Sequence, residues 1–233
     1  MSLSGKYSFG VLLAFVLLAL VMLYAFPVVS FFTGIKGFSA YSFFLSRIIL
    51  WIILIIILLY SFFIEKGPFL LKKEKEYPAA FYGKAVSCLY LICVAGAAFL
   101  NFLLHIVAHE ETSDKLIQFS SVLKNNYFLI IFTCFTAGIM EELLMRGYIQ
   151  PRLEKIYNSP LTGIIGSALL FGILHSTYGT IGQVMVTSFI GIIFAMFYKL
   201  YSNIKVLILC HFLIDFISLM IMNFIDFKHL SVF

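Results

Sequence analysis

The sequence predicts an all-α protein, a polytopic membrane helical bundle of about seven transmembrane helices, with six to eight as the bounds. Two observations lead to this prediction. Of the 233 residues, 62% are hydrophobic and 12% are charged, whereas an average soluble domain has about 25% charged residues. The mean hydropathy is +1.05, and apolar stretches approach or exceed the ~20 residues that a helix needs to cross a bilayer. This composition excludes a soluble globular enzyme, a disordered chain and a nucleic-acid-binding module.

Apolar stretches follow one another along the whole chain. They predict spans at 8–31, 43–64, 84–107, 127–149, 161–178, 180–199 and 204–225. The first span is interpreted as a retained signal anchor, because its apolar run is longer than a signal peptide core of about 7–15 residues. Residues 65–83 are interpreted as a solvated loop, and 108–126 as the main outer connection. Without an internal repeat or a long linker, the chain 1–233 is predicted to be a single membrane domain.

The distribution of lysine and arginine predicts the orientation. With the N-terminus inside, eleven of the 16 lysine and arginine residues fall on the inner side of the membrane. The five on the outer side are Lys36, Arg47, Lys115, Lys124 and Lys228. Because cytoplasmic loops are enriched in these residues, we expect a cytoplasmic N-terminus in a cell membrane of the bacterial type. The net charge of +5 is attributed to this orientation, and no nucleic-acid partner is expected.

The cysteines give no sign of a disulfide framework or a zinc site. All of them lie within apolar stretches, at Cys88, Cys93, Cys134 and Cys210. Cysteine is a small hydrophobic residue that is often buried. We therefore interpret the four as core residues.

A first cluster of ionisable side chains lies in the fourth span, at Glu141, Glu142 and Arg146. A charge at the bilayer centre costs at least ~2.5–3.5 kcal/mol on insertion scales, so such groups usually have a function. Adjacent residues point about 100° apart on a helix, whereas Glu142 and Arg146, four residues apart, can form an ion pair. This arrangement would leave Glu141 available as a base towards water.

Two further clusters contribute imidazoles. His175 follows Phe171 by one turn in the fifth span, and His211 and Asp215 share one face of the seventh. A His–Asp pair suits metal ligation, hydrogen bonding to a reacting oxygen, or proton transfer. At ~1.5 Å per residue, His175 is predicted to lie deeper than Glu141, so the clusters converge only if the fifth helix tilts, breaks or begins outside the membrane.

Taken in order, the three clusters resemble the CAAX protease and bacteriocin-processing family, or Abi family, of intramembrane glutamic endopeptidases. Its shared core carries EExxxR, then FxxxH, then HxxxN or HxxxD. Here the motifs begin at Glu141, Phe171 and His211, and the resemblance implies a catalytic core over 125–225. Asp215 stands where the prenyl-protein proteases typically have asparagine, which fits the varied prokaryotic members better.

The resemblance implies a hydrolase that cleaves a peptide bond of a membrane-associated protein or peptide, lipidated substrates included, without a cofactor. Glu141 would be the general base and, helped by His175, would activate a water molecule. His211 and Asp215 would stabilise the oxyanion that develops on the scissile carbonyl. Three residues would have supporting roles, Glu142 and Arg146 as an ion pair and Phe171 in shaping the cavity.

Three alternatives stay open at the level of the sequence. The same side chains could hold a divalent metal such as zinc, whose bound water would be the nucleophile, although no HExxH motif sets close ligand spacing. They could form a proton or ion path in a transporter, although the ionisable groups occupy one half of the chain and no paired repeat accompanies them. An immunity-type protein could keep the family fold and bind a partner without cleaving it.

Overall fold

The computed structural model describes residues 2–35, 37–109 and 113–224, without the side chain of Asp114. Within these ranges the protein is all-α, and seven helical stretches are long and apolar enough to cross a membrane. The predicted fold class and number of spans are thereby confirmed. Lys36 and Lys228 of the predicted outer side lie outside the described residues. So do residues 110–112 of the outer connection and residue 225 of the seventh predicted span.

The helices follow the predicted order with shifted ends. They are α1 (Leu3–Thr33), α2 (Ala40–Tyr60), α3 (Ala79–Ala108), α4 (Asp114–Leu123), α5 (Tyr127–Glu142), α6 (Gln150–Tyr157), α7 (Pro160–Leu174), α8 (Ile181–Tyr201) and α9 (Ile204–Phe224). Side-chain oxygens of Asn126, Ser159 and Thr180 accept hydrogen bonds from the first turns of α5, α7 and α8. Such caps satisfy amide groups that a helix start leaves without a partner.

The fourth span is longer than predicted. The prediction ended it at residue 149, before Pro151, but a π-helical segment, Leu143–Ile149, joins α5 to α6 and the span ends at Tyr157. Pro151 follows the π-helical segment directly and lies in the first turn of α6. A proline has no amide to donate in a continuous helix, and the change from π-helical to α-helical hydrogen bonding occurs directly before it.

The bundle packs around α5 and leaves α3 at its edge. In the most apolar window of the fourth span 56% of the residues are buried inside the protein, against 6% in α3. All four cysteines are free, and Cys93, Cys134 and Cys210 are buried as predicted. The interpretation of Cys88 as a core residue is wrong, because it lies on the exposed side of α3.

Glycine permits the close helix crossing that positions the polar side chains. A Cβ atom at Gly138 would lie 3.0 Å from the carbonyl oxygen of Ile208 and 3.3 Å from the amide nitrogen of Phe212. Only a residue without a side chain allows α5 to approach the backbone of α9 this closely. The crossing lies one turn before Glu141, and it therefore brings the paired glutamates beside His211.

The polar connection after α2 has many exposed residues, as a solvated loop would, but some of its charged side chains contact the bundle. Lys72 pairs with Glu154 of α6 at 2.9 Å, and Glu74 accepts a hydrogen bond from the backbone amide of Ile204 at 2.7 Å. Burial raises the pKa of Glu74 and lowers that of Lys72. Helix ends leave backbone groups without partners, and this connection satisfies some of them where α8 and α9 meet.

A fully buried ion pair lies at the same end of the bundle. Arg152 of α6 pairs with Glu65, and both side chains are fully buried. The hydroxyl group of Tyr148 donates to the same carboxylate at 2.7 Å. The prediction counted Arg152 among the charges of an inner connection, whereas the structure places it inside the protein.

Candidate active site

Four side chains from three helical segments line one cavity of about 400 Å³. They are Glu141 of α5, His175 after α7, and His211 and Asp215 of α9. His211 lies at their centre, since its Nε2 atom is 3.7 Å from Oε2 of Glu141 and 3.6 Å from Oδ2 of Asp215. The structure thus brings together the four residues that the sequence singled out as catalytic.

Behind the cavity, the carboxylate of Glu142 contacts both Arg146 and His211. Its Oε1 atom accepts from Nη1 of Arg146 at 2.9 Å and is 2.7 Å from Nδ1 of His211. Glu142 and Arg146 are fully buried. A carboxylate can only accept hydrogen bonds, so Nδ1 of His211 carries a proton and its Nε2 atom is the one that faces Glu141 and Asp215.

Glu141, in contrast, has one long contact with a cation-forming side chain, the imidazole of His211. Its Oε2 atom is buried and has no hydrogen-bond partner among the described residues, and its 3.7 Å approach to His211 is too long for a hydrogen bond. The hydroxyl group of Thr133, on the same helix and in the same cavity, also lacks a partner there. Buried polar atoms usually have partners, so a water molecule or a polar substrate group would satisfy both.

The fifth span breaks where its histidine lies. Helix α7 ends at Leu174, and a 3₁₀ turn, His175–Tyr178, follows. This break is one of the conditions under which the sequence allowed the clusters to converge. The carbonyl oxygen of Phe171 lies 2.9 Å from Nδ1 of His175 and accepts a hydrogen bond from the Nδ1 proton, which leaves Nε2 of the neutral ring as an acceptor. Within the part of the chain that the structure describes, His175 forms no ion pair with Glu141.

Phe171 packs behind the imidazoles and is not among the residues that line the cavity. It is 3% exposed, its ring centroid lies 4.7 Å from that of His175, and Cζ of Arg146 lies 4.6 Å above its ring. These contacts give Phe171 a supporting position between the second motif and the buried ion pair of the first.

Arg47 and Tyr178 are among the cavity residues that sequence reasoning missed. Tyr178 stacks on His175, with ring centroids 5.8 Å apart. Arg47, counted with the charges of the outer side, lies within α2, inside the second span, and lines the same cavity as Glu141 and Asp215. A single arginine inside an apolar stretch was the available signal, because a charge within a span is costly unless it has a function.

The cavity does not present a ready-made metal centre. Among the described residues, no group of three or more His, Cys, Asp or Glu side chains is arranged to hold a metal ion. His211 is instead engaged through Nδ1 with Glu142.

The fold and the cavity define a multi-pass integral membrane protein with a buried site of histidines and carboxylates. Residues 123–217 match a family described as Type II CAAX prenyl endopeptidase Rce1-like. The matched segment contains all three motifs, and the match confirms the resemblance to the CAAX protease family and supports a protease, a hydrolase of peptide bonds. Comparisons with curated proteins and with solved structures gave no match.

Proposed function

We propose that the protein is a CAAX-type intramembrane endopeptidase in which Glu141 activates water to hydrolyse a peptide bond of a membrane-associated protein or peptide. The observation that carries this proposal is the carboxylate of Glu141, which shares one cavity with two histidines and has a buried oxygen without a hydrogen-bond partner among the described residues. The same constellation is what general-base hydrolysis requires.

In the first step, a water molecule lies between Glu141 and His175. Its oxygen forms a bond to the scissile carbonyl carbon while the carboxylate of Glu141 takes one of its protons. His175 accepts a hydrogen bond from the water through Nε2, because Phe171 occupies Nδ1. A general base in this position contributes typically about 10²–10⁴-fold to a rate.

The carbonyl electrons move to oxygen in this step, and the site must stabilise the resulting oxyanion. Doubly protonated His211 donates to it from Nε2, while Glu142 holds the ring by Nδ1. Asp215, 3.6 Å from Nε2, orients the imidazole. Pre-oriented donors of this kind supply the electrostatic stabilisation that is often the largest catalytic contribution.

In the last step the C–N bond breaks and the leaving amine takes the proton from Glu141, which restores the carboxylate. The cavity walls suit a substrate that comes from the bilayer. They include apolar side chains of three helices, at Val94, Ala97, Val186, Ile190 and Ile214. We propose that prenylated proteins are among the substrates, because the matched family is described as a prenyl endopeptidase. We also propose that the N-terminus of the protein lies in the cytoplasm.

The test compares membrane proteomes of cells that express the native protein or Glu141→Gln. The matched control is Glu76→Gln, which removes an equivalent carboxylate from an exposed position of the polar connection. We expect truncated protein termini that disappear with Glu141→Gln and persist with Glu76→Gln. Identical sets of termini in all three strains, with the proteins folded and equally abundant, would contradict the proposal.

A further inference from the structure

A second cavity adjoins the catalytic one. Its volume is about 480 Å³, and it lies among α1, α2, α4 and the turn after α7. Four residues line both cavities: Met22, Arg47, Phe119 and Tyr178. Arg47 therefore lies on the boundary between the site of hydrolysis and a neighbouring chamber, which we call the side chamber.

The two cavities differ in charge. The catalytic cavity contains the carboxylates of Glu141 and Asp215. The charged groups that line the side chamber are both cations, Arg47 and Lys115, while most of its wall is apolar. Lys115 is an exposed residue whose Nζ atom donates to the carbonyl oxygen of Thr177 at 2.5 Å. Arg47 is the cation that lines both cavities.

The guanidinium group of Arg47 is only partly used. Its Nε atom donates to Ser46 at 3.3 Å, and Cζ lies 4.7 Å above the ring of Phe43. In the described ranges no carboxylate lies within 4.0 Å of it, and its two terminal nitrogens have no hydrogen-bond partner. A guanidinium group with free terminal nitrogens is suited to bidentate binding of a carboxylate.

We propose that Arg47 binds a carboxylate of the substrate and thereby determines specificity, with a short apolar segment beyond the scissile bond occupying the side chamber. This inference rests on the proposed function, because the scissile bond is placed at Glu141. The carboxylate can be the free C-terminus of the substrate or an acidic side chain close to the cleaved bond. Both sources have the chemistry that Arg47 recognises, and the experiment separates them.

Binding is measured without turnover by the fluorescence of Trp51, the single tryptophan of the chain. Trp51 lies one turn after Arg47 on α2 and donates to Thr136 at 3.2 Å. Three probes are used: an acetylated tripeptide of valine, isoleucine and leucine with a free carboxyl end, its C-terminal amide, and the amide with aspartate in place of leucine. The proteins are native, Arg47→Gln, Arg47→Lys and Lys73→Gln, the last a surface control with the same loss of charge.

We expect the native protein to bind at least one carboxylate probe about tenfold more tightly than the neutral amide, since hydrogen bonds between charged groups are the stronger ones. Arg47→Gln should remove this preference without changing binding of the neutral amide, Arg47→Lys should retain part of it, and Lys73→Gln all of it. Preference for the free carboxyl end identifies a C-terminal substrate, and preference for the aspartate probe identifies an acidic side chain.

Equal binding of acid and amide by the native protein would overturn the inference. So would equal loss of both in Arg47→Gln, which would show that Arg47 merely balances the charge of the cavity. Failure of the proposed function would look different: carboxylate preference would persist, while Glu141→Gln would leave every truncated terminus in place.

Discussion

Nδ1 of His211 lies 2.7 Å from Oε1 of Glu142, and this contact separates the roles of the two adjacent glutamates. Glu142 accepts from both Arg146 and His211, so it is fixed behind the cavity. Glu141 points elsewhere on the same helix, and its Oε2 atom has no hydrogen-bond partner in the part of the chain that the structure describes. The pair therefore combines a structural anchor with an available base at consecutive positions of α5.

The two glutamates should differ in their effect on stability. Glu142→Gln leaves the fully buried guanidinium of Arg146 without its counter-ion, and breaking a buried ion pair costs about 3–5 kcal/mol. Glu141→Gln breaks no ion pair of this kind. Thermal unfolding of purified protein in detergent should thus show a large decrease in Tm for Glu142→Gln and little change for Glu141→Gln. Equal Tm values for the two variants would contradict the assigned roles.

Asp215 offers a test of how the imidazole is oriented. Asp215→Asn keeps a side-chain oxygen near Nε2 of His211, whereas Asp215→Ala removes it. We expect Asp215→Asn to retain cleavage within about tenfold of native and Asp215→Ala to lose at least about 10²-fold, the order of effect of one oxyanion-stabilising group. Cleavage is quantified on the truncated termini identified by proteomics, and an alanine variant as active as the asparagine variant would exclude this role.

Metal removal distinguishes the two hydrolytic mechanisms that the sequence left open. If Glu141 activates water directly, incubation of the purified protein with a zinc chelator should leave the rate of cleavage unchanged. A metal-bound water would instead require the ion. Loss of activity with chelator, restored by added zinc and accompanied by stoichiometric zinc in the native protein, would favour the metal mechanism.

Spacing along one helix was sufficient to predict part of the site. Glu142 and Arg146 are four residues apart and form the predicted ion pair at 2.9 Å. His211 and Asp215 have the same spacing, and their side chains approach to 3.6 Å. Hydropathy was likewise sufficient for the seven spans, because a bilayer requires long apolar helices whatever their packing.

Contacts between helices could not be predicted from a single sequence. The hydrogen bond between Glu142 and His211 joins residues 69 positions apart, and it depends on the close crossing of α5 and α9 at Gly138. Arg47 and Glu141 likewise line one cavity because two helices, α2 and α5, pack beside each other. Periodicity determines which face a residue occupies but not which helix covers that face.

The buried pair of Glu65 and Arg152 provides a prediction about the fold that does not involve the active site. Arg152→Met would leave Glu65 buried without its counter-ion, which costs about 3–5 kcal/mol. The double variant Glu65→Gln with Arg152→Met should recover much of this loss, since no isolated charge stays buried. Thermal unfolding in detergent measures both, with Lys73→Met as the control at an exposed cation. The prediction would be contradicted by Arg152→Met as stable as the native protein. It would also be contradicted by a double variant no more stable than Arg152→Met.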